Sequence, residues 1–278
     1  MSILQKVTSM IAMEVGNSRV KFGLFRDGHQ ISSADLPICV EHKAVSLDSH
    51  TLPWDELQEL FRRDVPLNRQ SPLFVAASVN PAGLERVLLE WPIANWPKPT
   101  VLRSSAELPI VNRTHYPEKV GTDRLLKAIA ANVLRRPDYP IIVVDSGTAT
   151  TVDWITDQGE FSGGAILPGL ALASKALHTY TAQLPLIEMS QLNSPPPAIG
   201  RETISALESG LYWGHIGAVR ELIQRMSVER GLPLPNVLVT GGGGSLLAGY
   251  LEAATYRPAL TLEGLAVAAR TLSNLQMP

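Results

Sequence analysis

The sequence predicts an α/β fold in which two related domains, at residues 1–118 and 119–278, face each other across a cleft. The chain has 278 residues and is 45% hydrophobic, which suffices for one large core or two medium ones. Apolar strand segments alternate with amphipathic helical segments in both halves. Each half also opens with an acid, a glycine and polar residues at a strand end. Clefts between helix-covered sheets are common ligand sites.

The first half is predicted to open with a meander of three strands. The turn signal Arg26-Asp27-Gly28 separates the second strand from the third. Apolar residues at i, i+3 and i+4 indicate a helix at 54–63, and Pro81 suits the first position of a second helix. The predicted elements are strands at 7–13, 20–25 and 30–36, a helix at 54–63, a strand at 72–78 and a helix from 81.

The second half is predicted to run through strands, a hairpin, helices, a strand and a helix. Leu125, Ile129 and Val133 share one face of a helix that starts near Asp123 and stops before Pro137. Residues 191–200 are Pro-rich, so we expect a loop that forms a lid or an interface. The predicted elements are a helix from 123, strands at 141–144, 150–155 and 160–166, helices at 169–177 and 203–225, a strand at 236–240, and helices from 245 and 262.

Composition disfavours several classes of function and location. A net charge of −2 disfavours nonspecific nucleic-acid binding, which needs a basic surface. The single cysteine, Cys39, cannot form an internal disulfide, which favours a reducing compartment and a buried structural role. No apolar stretch reaches the roughly 18 residues that span a bilayer, and the first residues do not resemble a signal peptide. We therefore expect a cytoplasmic protein that binds neither membrane nor nucleic acid.

Two turns are expected to bind phosphate. They lie at Glu14–Ser18, read E-V-G-N-S, and at Asp145–Thr148, read D-S-G-T. Glycine allows the backbone to approach a phosphate, and neighbouring hydroxyl and N–H groups donate to its oxygens. The acid at each strand end can hold a cation, directly or through water. Tight hairpins use the same residue types, but two such turns in corresponding places favour a nucleotide site.

The segment Gly121 to Arg124 opens a predicted helix and has two interpretations. In the first, Thr122 or Asp123 caps the helix and the acid lies near the positive end of its dipole. In the second, Asp123 is a general base and Arg124 binds a carboxylate with two hydrogen bonds. Taken alone, the segment favours the capping role.

Other motifs narrow the choice of chemistry. Four glycines at 241–244 follow a predicted strand, and their cost in backbone entropy indicates that something approaches closely, such as a phosphate or adenine. The run is not a Walker A loop, and Leu246 breaks the dinucleotide-binding fingerprint. The six histidines show no metal-ligand spacing and no G-x-S-x-G elbow is present, which disfavours a zinc site and a serine hydrolase.

Together these segments resemble the type III pantothenate kinases, of the acetate and sugar kinase and actin superfamily. The matching segments run in the family's order from residue 14 to 265. They are E-V-G-N-S-R-V-K-F-G, Y-P-E-K-V-G-T-D-R, V-V-D-S-G-T-A-T-T-V-D, G-G-A-I-L-P-G-L, E-T-I-S-A-L-E-S-G-L-Y-W-G, V-T-G-G-G-G and P-A-L-T-L-E-G-L. The resemblance implies two ribonuclease-H-like, actin-type domains and the ATP-dependent phosphorylation of pantothenate to 4′-phosphopantothenate, the first step of coenzyme A biosynthesis.

The resemblance also implies site residues, cofactors and a homodimer with its substrate site close to the partner subunit. Asp123 would be the base that takes the proton from the substrate hydroxyl, and Arg124 would bind the pantothenate carboxylate. Asp145 would bind a monovalent cation, K⁺ or NH₄⁺, while Mg²⁺ would accompany ATP. The implied ATP contacts are Glu14, Val15, Gly16, Asn17, Ser18, Arg19, Val20, Lys21 and Thr148. The implied substrate contacts are Tyr116, Gly121, Thr122, Asp123, Arg124 and Thr203.

Two positions depart from the family pattern: Glu14 stands where the family has Asp, and Ser18 where it has Thr. Serine keeps the hydroxyl, but the extra methylene of Glu14 moves the carboxylate by roughly 1.5 Å, a displacement that can cost about 10²-fold in rate. Glu14 therefore favours one alternative, a nucleotide-binding regulatory relative with weak or no kinase activity. A kinase for another small hydroxylated acid is a second alternative. The presence of Asp123, Arg124 and Asp145 together favours an active pantothenate kinase.

Overall fold

The computed structural model describes residues 9–26, 36–49, 51–62, 73–92, 96–231 and 235–275. The chain packs as two compact units, Met1–Leu134 with Ala259–Pro278, and Arg135–Pro258. These units differ in extent from the predicted domains at 1–118 and 119–278, because two helices of the predicted second domain pack in the first unit. The predicted domain boundary itself stays a prediction.

The described elements alternate between strands and helices. In chain order they are β1 (Ser9–Val15), β2 (Arg19–Arg26), β3 (Cys39–Ser46), α1 (Trp54–Arg62), β4 (Leu73–Ser78), α2 (Pro81–Leu89), β5 (Thr100–Leu102), α3 (Thr122–Leu134), β6 (Ile141–Ser146), β7 (Ala149–Ile155), β8 (Phe161–Pro168), α4 (Leu170–Tyr180), α5 (Thr203–Arg230), β9 (Asn236–Thr240), α6 (Gly244–Ala248), β10 (Ala254–Tyr256) and α7 (Leu260–Leu275). Short 3₁₀ helices lie at Ser105–Glu107, Pro117–Lys119 and Met189–Leu192.

The first unit is built on a five-stranded sheet in the order β3-β2-β1-β4-β5. β1, β2 and β3 form an antiparallel meander, β4 joins β1 in parallel, and β5 joins β4 in parallel. All seven residues of the central strand β1 are buried. On one side the core contains Phe22, Phe74 and an edge-on aromatic cluster of Trp54 and Trp91, whose ring centroids lie 5.4 Å apart. The tryptophans at these positions pack the core, as expected.

The second unit repeats the same topology. Its sheet has the order β10-β9-β6-β7-β8, with an antiparallel meander β6-β7-β8 and two further strands added in parallel beside β6. Each sheet therefore has the order 3-2-1-4-5 with only its second strand antiparallel to the rest, which is the ribonuclease-H-like arrangement. The predicted fold class, two such mixed sheets flanked by helices, is confirmed.

Most predicted elements occur within a few residues of their predicted bounds, but three strands were not predicted. The predicted strand at 30–36 lies outside the described residues except Leu36, which is not in a strand, and the third strand is β3 instead. β3 is mostly exposed and carries Glu41, His42 and Lys43, so its polar sequence gave no strand signal. β5 and β10 have three residues each, too few for a periodic pattern.

Two further expectations concern Cys39 and the Pro-rich loop. Burial, with the charge of Glu263, raises the pKa of the Cys39 thiol to about 12, so the thiol stays protonated and is unsuited to nucleophilic chemistry. Of the predicted loop at 191–200, residues 193–200 form neither helix nor strand, whereas 191 and 192 end the 3₁₀ helix Met189–Leu192. No helix among the described residues is long and apolar enough to cross a membrane.

Candidate functional site

In the first unit, the ends of β1 and β4 lie side by side because these strands are parallel neighbours. The β1–β2 turn is tight: the Gly16 N–H donates to the Arg19 carbonyl at 2.9 Å, which leaves Asn17 and Ser18 exposed at the tip. β4 leads directly into Asn80, the N-cap of α2, whose side-chain amide donates to the Gly16 carbonyl at 3.4 Å. The predicted phosphate turn thus lies beside a helix N-terminus, a setting that favours anions.

Glu14 lies on β1 just before this turn and is only 4% exposed. Its Oε2 lies 3.0 Å from Nζ of Lys21, its cross-strand partner on β2. The contact has the distance of an ion pair, yet Oε2 is buried and accepts no hydrogen bond from the residues that the structure describes. A buried oxygen without a donor is unusual in native proteins and suits a cation or a cation-bound water.

Asp123 lies in the first turn of α3, where the chain returns close to β4. The Gly121 carbonyl accepts from the N–H groups of Arg124 and Leu125 at 3.1 and 3.4 Å, which begins the helix. Thr122 Oγ1 donates to the Ser78 carbonyl at 3.2 Å and ties the start of the helix to the end of β4. A Cβ at Gly121 would lie 2.7 Å from Asp123 Oδ1, so glycine leaves the space that this carboxylate occupies.

The Asp123 carboxylate also has a buried cationic partner that was not identified from the sequence. Lys127 Nζ donates to Asp123 Oδ2 at 2.9 Å, and Lys127 is fully buried. Burial alone would raise the pKa of Asp123, but the charge and hydrogen bond of Lys127, the N–H of Arg124 and the charge of Lys21 together lower it. Asp123 is therefore ionised at neutral pH, and the N–H of Arg124 gives it a capping contact as well.

The other predicted substrate contacts fall in both units. In the first, Arg124 is half-buried beside Asp123, whereas Tyr116 is exposed with Lys119 Nζ 4.6 Å from its ring centroid. In the second, Thr203 is the exposed first residue of α5.

The second unit carries the counterpart of the first turn. The Gly147 N–H donates to the Ala149 carbonyl at 3.1 Å, and Thr148 lies exposed at the tip between β6 and β7. The Thr148 carbonyl accepts from the Gly169 N–H at 3.1 Å. A Cβ at Gly169 would lie 2.1 Å from the Gly147 carbonyl oxygen, so α4 starts in direct backbone contact with the turn. This contact fixes the position of Thr148.

Asp145 lies against the four-glycine turn that follows the neighbouring parallel strand β9. Gly241 has a φ of 86°, and a Cβ there would lie 2.4 Å from Asp145 Oδ1. The Gly243 N–H donates to the Ser146 carbonyl at 2.9 Å, and a Cβ at Gly243 would lie 2.5 Å from Ser146 Oγ. The packing of the chain itself therefore favours glycine at positions 241 and 243, a role that the interpretation as a ligand shelf had not included.

Tyr256 completes the surroundings of Asp145. Its hydroxyl donates to the Gly241 carbonyl at 3.2 Å, and burial, together with the charge of Asp145, raises the pKa of Tyr256. In the described part of the chain, no three His, Cys, Asp or Glu side chains lie close enough to hold a metal ion. A cation beside one of these acids would therefore take its other ligands from backbone carbonyls, hydroxyls, water or a bound substrate.

Comparison with solved structures supports the fold. A conserved protein of the Baf family of transcriptional activators from Campylobacter jejuni matches with a TM-score of 0.57 and 19% identity, over 95% of this chain and 100% of that chain. The likeness extends over both repeated sheets and shows a shared fold.

Comparison with protein families identifies the chain. The model of the type III pantothenate kinases matches residues 10–225. A type III pantothenate kinase from Dehalococcoides mccartyi (strain CBDB1) is 34% identical over 261 residues, which are 92% of this chain and 93% of that protein. Another from Phenylobacterium zucineum is 41% identical over 169 residues, 60% of this chain and 63% of that protein. The chain belongs to the type III pantothenate kinase family.

Proposed function

We propose that this protein transfers the γ-phosphoryl group of ATP to pantothenate, giving 4′-phosphopantothenate in the first step of coenzyme A biosynthesis, with Asp123 as the base. Membership of the type III pantothenate kinase family supports the reaction and the two substrates. The observation that carries the role of Asp123 is its carboxylate at the start of α3, ionised and held at one oxygen by Lys127.

The transfer itself needs positioning more than covalent catalysis. The substrate hydroxyl oxygen bonds to the γ-phosphorus, the bond from that phosphorus to the β–γ bridging oxygen breaks, and ADP leaves. Asp123 accepts the hydroxyl proton and later releases it to water. A lowered pKa makes Asp123 a weak base, which suits a loose transition state in which the hydroxyl loses its proton late.

The ATP contacts are proposed from both units. In the first, the segment from Glu14 to Lys21 offers the backbone N–H groups and the Ser18 hydroxyl of an exposed turn, beside the N-terminus of α2. In the second, Thr148 offers a hydroxyl at the tip of the matching turn.

The cations are assigned by the chemistry of the acids. Mg²⁺ with few protein ligands suits a nucleotide site, because Mg²⁺ keeps several waters and binds substrate phosphates. The buried Glu14 Oε2, which lacks a hydrogen-bond donor, fits a water of such an ion, and Asp145 would hold the K⁺ or NH₄⁺. When bound, these ions neutralise negative charge on the phosphate oxygens.

Pantothenate would bind at the start of α3. Arg124 would form two hydrogen bonds with its carboxylate, the geometry that a guanidinium favours. The remaining contacts of this proposal are Tyr116, Gly121, Thr122 and Thr203.

An assay of the purified protein with ATP, Mg²⁺, K⁺ and pantothenate tests the proposal. We expect 4′-phosphopantothenate and ADP in equal amounts, detected by mass spectrometry, and no ADP when pantothenate is left out. Binding of ATP without any product would support the regulatory alternative. Phosphorylation of a different hydroxylated acid, with pantothenate unreactive, would support the alternative of another substrate.

Glu14→Asp is expected to lower kcat/KM for ATP about tenfold or more. The shorter side chain withdraws the carboxylate by about 1.5 Å from Lys21 and from the position it has in this chain, and such displacements cost up to about 10²-fold. Steady-state kinetics at varied ATP measure the effect, with Glu14→Gln separating length from charge. An unchanged kcat/KM in Glu14→Asp would contradict this prediction, and a higher one would show that the longer acid lowers the activity of this chain.

A homodimer is also part of the proposal, and exposed apolar side chains of the second unit support it. They lie in β8, α4, the following loop and the start of α5: Ile166, Leu172, Leu177, Tyr180, Leu186, Ile199 and Ile204. Exposed apolar side chains of this size are frequent in subunit interfaces. A cytoplasmic location completes the proposal, since ATP is available there and Cys39 forms no disulfide.

The double variant Tyr180→Glu/Ile199→Glu is expected to convert the dimer into a monomer, because two charges would be buried at the interface. These residues are 86% and 81% exposed in the single chain, so the fold itself should not change. Light scattering after size-exclusion chromatography measures the mass. Leu89→Glu in the first unit, at a position that is 81% exposed, is the matched control and should leave the dimer intact. A monomeric parent protein would contradict the proposal.

A further inference from the structure

We propose that Lys127 is a positioning residue for the phosphoryl transfer: it holds Oδ2 of Asp123 from the buried side, so that Oδ1 is directed to the substrate hydroxyl. The inference rests on the proposed function and adds a residue to its machinery. Lys127 does not touch substrate in this scheme and acts only through Asp123.

The two side chains of the pair differ sharply in exposure. Lys127 lies one helical turn after Asp123, and its side chain is 1% exposed, whereas that of Asp123 is 27% exposed. The ammonium therefore approaches the carboxylate from inside the unit. Asp123 Oδ1 lies over Gly121, which has no side chain to cover it. Lys127 therefore holds Oδ2, whereas Oδ1 lies at the start of α3, where the substrate is proposed to bind.

A fully buried lysine is rare because removing an ammonium from water is costly unless the charge is paired. Lys127 occupies a helix whose neighbouring positions Leu126, Ala128 and Ile129 are buried apolar residues. An apolar side chain would pack this position at a lower cost in solvation. The pairing with Asp123 gives the lysine a role that such a side chain lacks.

Two cations act on the Asp123 carboxylate through their charge: Lys127 on the same helix and Lys21 on β2. Helix α7, which packs on α3, carries the buried acid Glu263. The side chain of Lys21 is 33% exposed and is paired with Glu14. Solvent therefore screens its charge in part, and the Glu14 carboxylate offsets it in part. Lys127 donates a hydrogen bond to Asp123 as well as acting through its charge, so its removal should raise the pKa of the carboxylate more than removal of the Lys21 charge would.

Lys127→Met tests the proposal because it keeps the length of the side chain and removes its charge. In the parent, the acid limb of the kcat–pH profile should lie below the ordinary range of an aspartate. In the variant it should move up by about 1 to 3 pH units, since an opposite charge at this distance shifts a carboxyl pKa by about that much. We expect kcat at pH 7 to fall about 10- to 100-fold through misplacement of the base, with KM for both substrates within about twofold.

Two further variants separate positioning from packing. Lys127→Arg keeps the charge, so the acid limb of its kcat–pH profile should stay at the low pH of the parent, even if kcat is lower than in the parent. Lys127→Gln removes the charge but keeps a donor, and it should show the raised acid limb. It also replaces Lys127→Met if that variant does not fold.

A second readout does not depend on turnover. The ¹³C signal of the Asp123 carboxyl, identified by its loss in Asp123→Asn, should titrate below the usual range in the parent and at a higher pH in Lys127→Met. If the parent makes no product, the proposed function and this role fail together. If the parent is active and Lys127→Met keeps both the acid limb and the titration of Asp123, the role of Lys127 alone is overturned.

Discussion

Asp123→Asn is expected to lower kcat for pantothenate phosphorylation by about 10²- to 10⁴-fold, the range that a positioned general base contributes. The amide keeps the size of the side chain but cannot accept the hydroxyl proton. ATP binding should change little, because the proposed ATP contacts are other residues. Product formation followed by mass spectrometry, with ATP affinity measured by calorimetry, separates the two effects.

The same substitution is expected to reduce stability, which the assay must take into account. Asn removes the negative charge opposite the buried Lys127 ammonium, and removal of one partner of a buried pair is costly. Rates should therefore be expressed per folded protein. Asp138→Asn is the matched control, since Asp138 is exposed and has a φ of 60° that Asn tolerates. Retention of more than about a tenth of the parent kcat in Asp123→Asn would remove Asp123 from the role of base.

The pH dependence of stability follows from the direction of the Asp123 shift. Its pKa is lower in the folded than in the unfolded protein, so the ionised form stabilises the fold. This contribution is present at pH values above the unfolded pKa and is lost as the pH falls through the folded pKa. Asp123→Asn removes the contribution altogether, so its difference in stability from the parent should shrink in acid.

How far the fold was predictable depends on the length and burial of each element. α3 was predicted because its apolar residues recur over several helical turns, and β9 because its apolar run ends at the glycines. α5 was predicted from its length and from the small residues along one side of it. β3 was not predicted because an exposed strand has a polar sequence. Its antiparallel pairing with β2 holds it in the sheet, and that pairing cannot be seen in the local sequence. The matching strand order of the two sheets was indicated by the similar turns at Gly16 and Gly147 and by the similar succession of predicted elements in the two halves.

The candidate site was predictable where the chemistry is local in sequence. The acids at 14, 123 and 145 were recognised because each adjoins a glycine turn or a helix start. Lys127 was not, since a lysine on a helix is normally exposed and its burial is a property of packing. Its spacing of four residues after Asp123 was the one available signal. The contact of Asp145 with Gly241 was likewise hidden, because it joins segments about a hundred residues apart that only adjacent strands bring together.

Gly264→Ala is expected to destabilise the first unit by about 2–3 kcal/mol and to impair activity with it. A Cβ at Gly264 on α7 would lie 1.8 Å from the Leu126 carbonyl oxygen on α3, and backbone cannot move aside as a flexible side chain can. The two helices would have to separate. Leu126 lies between Asp123 and Lys127 in sequence, so this movement would displace the proposed base, and displacements of about 1 Å cost about 10²-fold. Denaturant unfolding and kcat measure the two effects.

Gly249→Ala is the matched control for this prediction. Gly249 has a φ of −70° in the right-handed helical region, and no atom lies within 4 Å of the position its Cβ would take. Alanine should therefore leave stability unchanged or raise it by about 0.4–1 kcal/mol through the unfolded state. If Gly264→Ala is as stable and active as Gly249→Ala, α3 and α7 do not approach as closely as the structure shows. The position of Asp123 would then not depend on the packing of α7.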